Sequence, residues 1–208
     1  MKKFILGLLT CSIILTSASC SKDDPIAEVD QEEVSGATLL LTEVRAVNSE
    51  DGISYEDVDQ AEQVKVVFDG KDFLPPAGEH YHLEVGKAYR VELVALDFAG
   101  RETQQTFVSR AAEHQAFLLG APKGTLTYEY ADLDAAGNSV NVGVVGYLNI
   151  VEHAETFTLR YVMRHLNAGV KSGITAQDWN NEDFTKFTGD NDLDLKFPIH
   201  LVEEDHGH

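Results

Sequence analysis

Cysteine is almost absent from this chain. Its two cysteines, Cys11 and Cys20, both lie in the first twenty residues, so any domain that begins later has none for a disulfide, a thiolate metal site or a thiol nucleophile. Basic residues are also scarce, with 16 Lys and Arg against 35 Asp and Glu and a formal net charge of −19. Because binding to a phosphate backbone needs a basic surface, we expect no nucleic-acid partner.

Familiar catalytic motifs are missing as well. The chain has no Gly-x-Ser-x-Gly, no His-Glu-x-x-His and no phosphate-binding glycine loop. Asp132-x-Asp134-x-x-Gly137 resembles the start of a calcium loop, but Gly143 stands where that loop needs a bidentate glutamate. We interpret this stretch as a hairpin turn and expect a protein that is not an enzyme.

The first twenty residues predict export. A positive start at Lys2 is followed by a mostly apolar run over 4–15 and by small residues ahead of Cys20, as in a cleaved signal peptide. The apolar run, about 12 residues, is shorter than the roughly 20 needed to span a bilayer as a helix. The small residues ending at a cysteine resemble the lipobox of bacterial lipoproteins. That resemblance implies a lipoprotein signal peptide over 1–19 and acylation of Cys20, which anchors the chain to a membrane; cleavage near Ala18 in an ordinary secreted protein is the alternative.

Residues 20–35 are interpreted as the acylated cysteine and a flexible tether. The stretch is rich in Asp and Glu, contains Pro25 and shows no sustained apolar period. Ser21-Lys22-Asp23-Asp24 resembles the signal that directs lipoproteins of the Bacteroidota to the outer face of the outer membrane. The resemblance implies a protein that is lipid-anchored in the outer membrane and exposed at the cell surface.

Residues 36–208 are predicted to form one all-β domain, a single immunoglobulin-like or related β-sandwich with one or two short helices; two smaller sandwich modules are the alternative. Short apolar segments recur at regular intervals and are ended by turn residues. The predicted strands cover residues 38–47, 64–68, 81–85, 89–96, 115–119, 125–130, 140–150, 156–165 and 193–202. In the last of them, one face carries Leu193, Leu195, Phe197, Ile199 and Leu201.

The stretch Leu83–Leu93 carries the most information on the fold. It resembles the tyrosine corner of immunoglobulin-like and fibronectin-type sandwiches. Leu83 would close one strand, Gly86 would permit the turn, and the Tyr89 hydroxyl would bond back to the turn backbone as the next strand begins. An ordinary tight turn followed by a partly exposed tyrosine is the alternative.

Two segments interrupt the strand pattern. The polar stretch 101–113 predicts a short helix. Thr175–Asp178 resembles a capping box with Asp in place of Glu, and a helical turn there would press Trp179, Phe184 and Phe187 onto the sandwich.

Histidines are the best candidates for a transition metal such as zinc, or for haem. His80 and His82 are two residues apart, so on an extended strand both rings would point the same way and reach one ion. His114 and His165 fall on strand faces that otherwise carry apolar residues, which predicts that both lie at the rim of the core. The alternative for His80 and His82 is that they are exposed by chance. The alternative for His114 and His165 is that they are ordinary structural histidines held by hydrogen bonds.

Four short motifs in the chain resemble a family. They are Glu113-His114-Gln115 with Phe117, residues 130–138, residues 159–165 and residues 192–198. These motifs resemble small Bacteroidota outer-membrane lipoproteins that often carry the label type 1 periplasmic-binding superfamily protein, and the resemblance covers most of the mature chain. It implies a surface lipoprotein that works beside a TonB-dependent receptor in nutrient uptake, with His114 and His165 at matching positions.

Two functions remain as expectations. The first is a non-enzymatic binding or accessory module that captures a metal ion or metal complex for a TonB-dependent outer-membrane transporter, with His80, His82, His114 and His165 as ligands. The alternative is a structural or adhesive module that binds a protein or glycan through its loops, with Trp179 as the contact.

Overall fold

A computed structural model describes residues 34–50, 52–69 and 73–203. The predicted signal peptide, Cys20 and nearly all of the predicted tether lie outside the described residues. Among the residues that are described, no helix is both long and apolar enough to cross a membrane.

Twelve strands dominate the described part of the chain. They are β1 (Gly36–Ser49), β2 (Gly52–Asp57), β3 (Gln63–Phe68), β4 (Tyr81–Glu84), β5 (Ala88–Leu96), β6 (His114–Leu119), β7 (Leu126–Tyr130), β8 (Asp132–Leu133), β9 (Ser139–Val140), β10 (Val145–Ile150), β11 (Phe157–Leu166) and β12 (Gly189–Val202). One α-helix, α1 (Gln104–Ser109), lies inside the stretch 101–113 where a short helix was predicted. Three 3-10 helices follow β11, over Val170–Gly173, Ala176–Asn180 and Phe184–Lys186.

The larger sheet has six strands and is built around the long strand β1. Along one edge, β1 pairs with β3 through Ala37–Thr42 and with β2 through Val44–Ser49. Along its other edge it pairs with β5, and the sheet continues through β10 to β7. All of these pairs are antiparallel.

The second sheet has four strands in the order β4-β12-β11-β6. The β4–β12 pair is parallel and the other two are antiparallel. The strands β8 and β9 form a separate hairpin, which confirms the turn predicted at 132–138. The predicted strand over 140–150 is only partly correct, because residues 141–144 lie between β9 and β10 and Gly143 has a φ of +99° that interrupts an extended strand.

The two large sheets pack face to face. Their buried apolar side chains form one core that includes Leu39 and Leu93 from the first sheet and Leu159 from the second. The Phe68 and Phe197 rings meet edge to face across the interface, with centroids 5.8 Å apart. In β12, the five apolar residues predicted to share one face are all buried. The prediction of an all-β, sandwich-like fold is confirmed.

The outer face of β6 and β11 is covered by the segment that holds the 3-10 helices. There Phe117 and Val162 pack with Phe184 and Phe187 in a second buried cluster. The predicted capping box is present, and its Ala176–Asn180 turn places Trp179 in the main core. Since β6 is covered on both faces, all six of its residues are buried.

The tyrosine corner is confirmed. The Glu84 backbone N–H donates to the Tyr89 hydroxyl oxygen over 2.9 Å, and Tyr89 is 1% exposed. Gly86 occupies the turn with a φ of +86°, a conformation that glycine adopts without steric cost. The bond fixes the angle at which the chain leaves β4 and enters β5.

Replacing Tyr89 with Phe tests this corner. The substitution keeps the buried ring but leaves the Glu84 N–H without its acceptor, so we expect the free energy of unfolding to fall by about 1 kcal/mol. Urea unfolding followed by tryptophan fluorescence measures the change. Tyr147→Phe, on β10, is a matched control that should change the free energy of unfolding much less, and equal losses in both variants would argue against the corner.

The capping box gives a pH-dependent contribution to stability. Hydrogen bonds from the Thr175 backbone, and then from the Asn181 side chain, hold the pKa of Asp178 below its ordinary value of 3.8. A carboxylate with a depressed folded-state pKa stabilises the fold above its unfolded pKa, and this contribution is lost as the pH falls through the folded-state pKa. We therefore expect Asp178→Asn to melt at a lower temperature than the natural chain at neutral pH, with the gap narrowing as the pH falls below the ordinary aspartate pKa of 3.8. Thermal melts from pH 7 to pH 2 would show it, and a gap that stays constant would contradict it.

Candidate metal centre

Two histidines meet where β6 and β11 pair. The antiparallel register sets His114 directly opposite His165, and residues opposite each other in a sheet project from the same face. Their ring centroids are 4.7 Å apart at an interplanar angle of 64°. His114 is fully buried and the His165 side chain is 31% exposed, so the expectation that both lie at the rim of the core agrees with the structure.

A β-bulge brings a third side chain to this pair. Along β11 and β12, Met163 pairs with Leu193 while the next residue, Arg164, pairs with Asn191, so Asp192 is an extra residue in β12. Without the bulge, strict alternation would place Asp192 on the face opposite the buried Leu193. A bulge turns a side chain away from that alternation, and here it directs the carboxylate towards the histidines.

The carboxylate of Asp192 touches both rings. Its Oδ2 lies 3.3 Å from Nε2 of His114, and its Oδ1 lies 3.9 Å from Nδ1 of His165. One ligand atom from each of the three residues falls within 4.8 Å of the others. Among the described residues, this is the one group of three or more such side chains close enough to hold a metal ion. We refer to His114, His165 and Asp192 as the core site.

The hydrogen bond made by the other nitrogen of His114 fixes the chemistry of its ring. Nδ1 lies 3.0 Å from the carbonyl oxygen of Arg110, and because a carbonyl only accepts, Nδ1 must carry a proton. In the neutral ring, Nε2 then presents its lone pair towards the Asp192 carboxylate. Two electron-rich atoms at 3.3 Å repel each other unless a cation or a proton lies between them. A backbone carbonyl holding the far nitrogen is also how metal-binding histidines are commonly oriented.

The surroundings make the core site rigid on its inner side. The buried Phe107 ring packs edge to face on His114, with centroids 5.2 Å apart. The Lys171 ammonium donates to the carbonyl oxygens of His114 and Asn141, and burial lowers the pKa of Lys171 to about 7. These contacts fix the backbone of β6 at the residue that supplies the first ligand.

The outer side of the core site carries an ion pair. Glu113 precedes His114, and its pKa is lowered chiefly by hydrogen bonding to Arg110 and also by His165 and His114. Its side chain is 37% exposed. Because Arg110 balances its charge, Glu113 adds little net negative charge to the solvent side of the site.

Two nitrogens and one carboxylate oxygen suit zinc or a similar divalent transition metal. With zinc–ligand bonds of about 2.0–2.2 Å, tetrahedral coordination puts ligand atoms roughly 3.3–3.5 Å apart. The Oδ2 atom of Asp192 already has this spacing from Nε2 of His114, at 3.3 Å. The 3.9 Å distance to Nδ1 of His165 is from the other carboxylate oxygen, Oδ1. The three ligand atoms lie within 4.8 Å of one another, so they must move closer together to bind one ion. Three protein ligands leave a fourth coordination position for water or another ligand.

The other residues predicted from the sequence lie elsewhere. His80 precedes β4 and is not part of a strand, so the two-residue strand spacing with His82 does not apply to it. His82 is exposed on β4, where its ring lies 5.2 Å from that of His200. Trp179 is 8% exposed and lies 6.1 Å from the Tyr128 ring in the core, so its indole is not presented to a partner.

Comparison with known proteins gave no match: no family model, no curated protein and no solved structure is similar to the chain. The function is therefore argued from the residues of the core site.

Proposed function

We propose that this protein is a non-enzymatic surface lipoprotein that binds a divalent transition-metal ion, zinc above all, at His114, His165 and Asp192. The observation that carries the proposal is the convergence of three ligand atoms within 4.8 Å on side chains from three different strands. In this role the ion is a cargo, which the protein delivers to a TonB-dependent transporter in the outer membrane.

The burial of the ligands favours a bare ion over haem. His114 is 0% exposed and Asp192 is 13% exposed, so both are enclosed by the protein. A porphyrin needs an open apolar cleft wide enough for its ring. A single bare ion, which is smaller than a water molecule, needs only the space between the three side chains.

The exposure of His165 supplies a route for exchange. One-third of its side chain is open to solvent, and it lies beside the exposed carboxylate of Glu113. A fully enclosed four-ligand site is typical of structural zinc, whereas three protein ligands leave a position that water or another ligand can take. The arrangement suits a protein that both takes up and gives up its ion.

The anchor and the location rest on the N-terminal sequence. The run of small residues before Cys20 and the lysine-plus-acids stretch after it support lipidation and export to the cell surface. Mass spectrometry of the protein from its membrane fraction tests this part by itself. We expect acyl chains on Cys20, and an unmodified mature N-terminus would refute the anchor without touching the metal site.

Metal analysis tests the core site. The mature chain, purified without an affinity tag and with His206→Ala and His208→Ala to remove the terminal histidines, is analysed for bound metal and then titrated with Zn²⁺ after chelation. We expect one of the bound zinc ions to occupy the core site. The number of bound ions should therefore fall by one in His114→Ala. If zinc uptake is the same in this parent chain and in its His114→Ala variant, the proposed function is wrong.

A further inference from the structure

We propose a second metal site on the surface of the four-stranded sheet, formed by His82 and His200. The two residues pair in register between the parallel strands β4 and β12, so their side chains leave the same face of the sheet next to each other. Their ring centroids are 5.2 Å apart at an interplanar angle of 38°. We refer to them as the surface pair.

The spacing of the surface pair fits bidentate chelation. Two imidazoles bound to one tetrahedral ion through bonds of about 2.0–2.1 Å have ring centroids roughly 5 Å apart. The surface pair already has this separation on two hydrogen-bonded strands. Binding therefore requires ring rotation and no movement of the backbone, which keeps the conformational cost low.

The position of His200 along β12 explains its exposure. Its neighbours Ile199 and Leu201 are buried in the core, and on β4 the neighbours of His82 are the buried Tyr81 and Leu83. Strict alternation then directs both histidines to solvent. Neither ring contributes to the apolar core, so the pair is not explained by packing between the sheets.

Thr156 holds one of the rings. Its Oγ1 lies 2.8 Å from Nδ1 of His200, and a hydroxyl can either donate to this nitrogen or accept from it. When it accepts, Nδ1 carries the proton and Nε2 presents a lone pair outwards. A hydrogen bond to the far nitrogen orients a ligating imidazole, so Thr156 is a positioning residue.

The donor set identifies the class of ion. Imidazole nitrogens suit zinc, copper and nickel, and affinity among these rises from nickel to copper. Two protein ligands leave further positions to water or to a ligand from another molecule. The surface pair is separate from the core site, because His200 lies near the C-terminal end of β12 and Asp192 near its start.

Nickel titration of the mature chain with His206→Ala and His208→Ala tests the inference. We expect paramagnetic Ni²⁺ to broaden the ring resonances of His82 and His200 together. Calorimetry should show binding of one nickel ion that disappears in His82→Ala and in His200→Ala. The matched control His153→Ala, at another exposed histidine, should retain this ion. Thr156→Val should weaken this binding about tenfold. Because both rings are exposed, circular dichroism should show an unchanged fold in each variant.

The outcomes separate this site from the core site. His114→Ala should leave the ion at the surface pair in place. If the core site binds no ion at all, the chain should still bind one nickel ion at the surface pair, and His200→Ala should remove it. If nickel binding is the same with and without His200, or if the two ring signals do not broaden together, the surface pair is not a metal site.

Discussion

Asp192→Asn is expected to lower the zinc affinity of the core site by about a hundredfold or more, because it removes the one charged ligand of the three. The carboxylate faces Nε2 of His114 at 3.3 Å, and an amide of the same shape supplies no net charge to balance the ion. Isothermal titration of the chelated, tag-free chain measures the change. The fold itself should remain, because Asn keeps the size and shape of the Asp192 side chain.

Asp59→Asn is the matched control. Asp59 is exposed in the turn between β2 and β3 and lies on none of the three strands that carry the core site. This variant removes the same negative charge at a position outside the core site. It should therefore change zinc affinity only slightly, through weaker long-range attraction of the ion. If both variants lose affinity to the same extent, the acidic surface and not the core site binds the ion.

Gly146→Ala is expected to destabilise the protein by about 3 kcal/mol. A Cβ at this position in β10 would lie 2.1 Å from the Tyr128 hydroxyl and 2.3 Å from the ring carbon that bears it. Tyr128 cannot easily move away, because it is 4% exposed and its ring contacts Tyr130 and Trp179 in the core. The added methyl group therefore has to displace packed aromatic rings, and chemical denaturation measures the cost.

Two further variants isolate the cause. Gly173→Ala adds the same methyl group where nothing lies within 4 Å, and it should change the free energy of unfolding by less than about 1 kcal/mol. In Tyr128→Leu the clashing hydroxyl and ring are gone, so Gly146→Ala should cost far less in that background than in the natural chain. If Gly146→Ala lowers the free energy of unfolding equally with Tyr128 and with Leu at position 128, the clash with Tyr128 is not the cause.

Alternation along strands predicted much of the fold and two of the three residues of the core site. The period of two in β12 identified its buried face, and the same reasoning placed His114 and His165 on core-facing sides of their strands. It could not show that the two histidines face each other, because that depends on the register between β6 and β11. Register is set by contacts between segments far apart in the chain.

Asp192 was missed for a physical reason. The alternation that correctly buried Leu193 and Leu195 assigns Asp192 to the solvent face together with Asp194. The bulge opposite Met163 and Arg164 reverses that assignment, and a bulge without a glycine leaves little signal in one sequence. The strand β2 was missed too, because it is mostly exposed and shows no apolar alternation.

The histidine pair on the surface shows the same limit of sequence reasoning. The spacing of His80 and His82 suggested a local pair, but His80 lies before the strand and the neighbour of His82 is His200. Parallel pairing between β4 and β12 brings together residues from the middle and the end of the chain. Such pairs depend on topology, which a local pattern does not contain.

The position of β1 also determines how the domain would respond to pulling. From Gly36 onwards, β1 is bonded to β5 on one side and, from Ala37, to β3 on the other. A force transmitted through a membrane tether at this end acts along the strand, so it loads both rows of hydrogen bonds in shear at once instead of opening them one by one. If the proposed lipid anchor holds the chain at this end, the domain is loaded through a strand that is hydrogen-bonded along both of its edges.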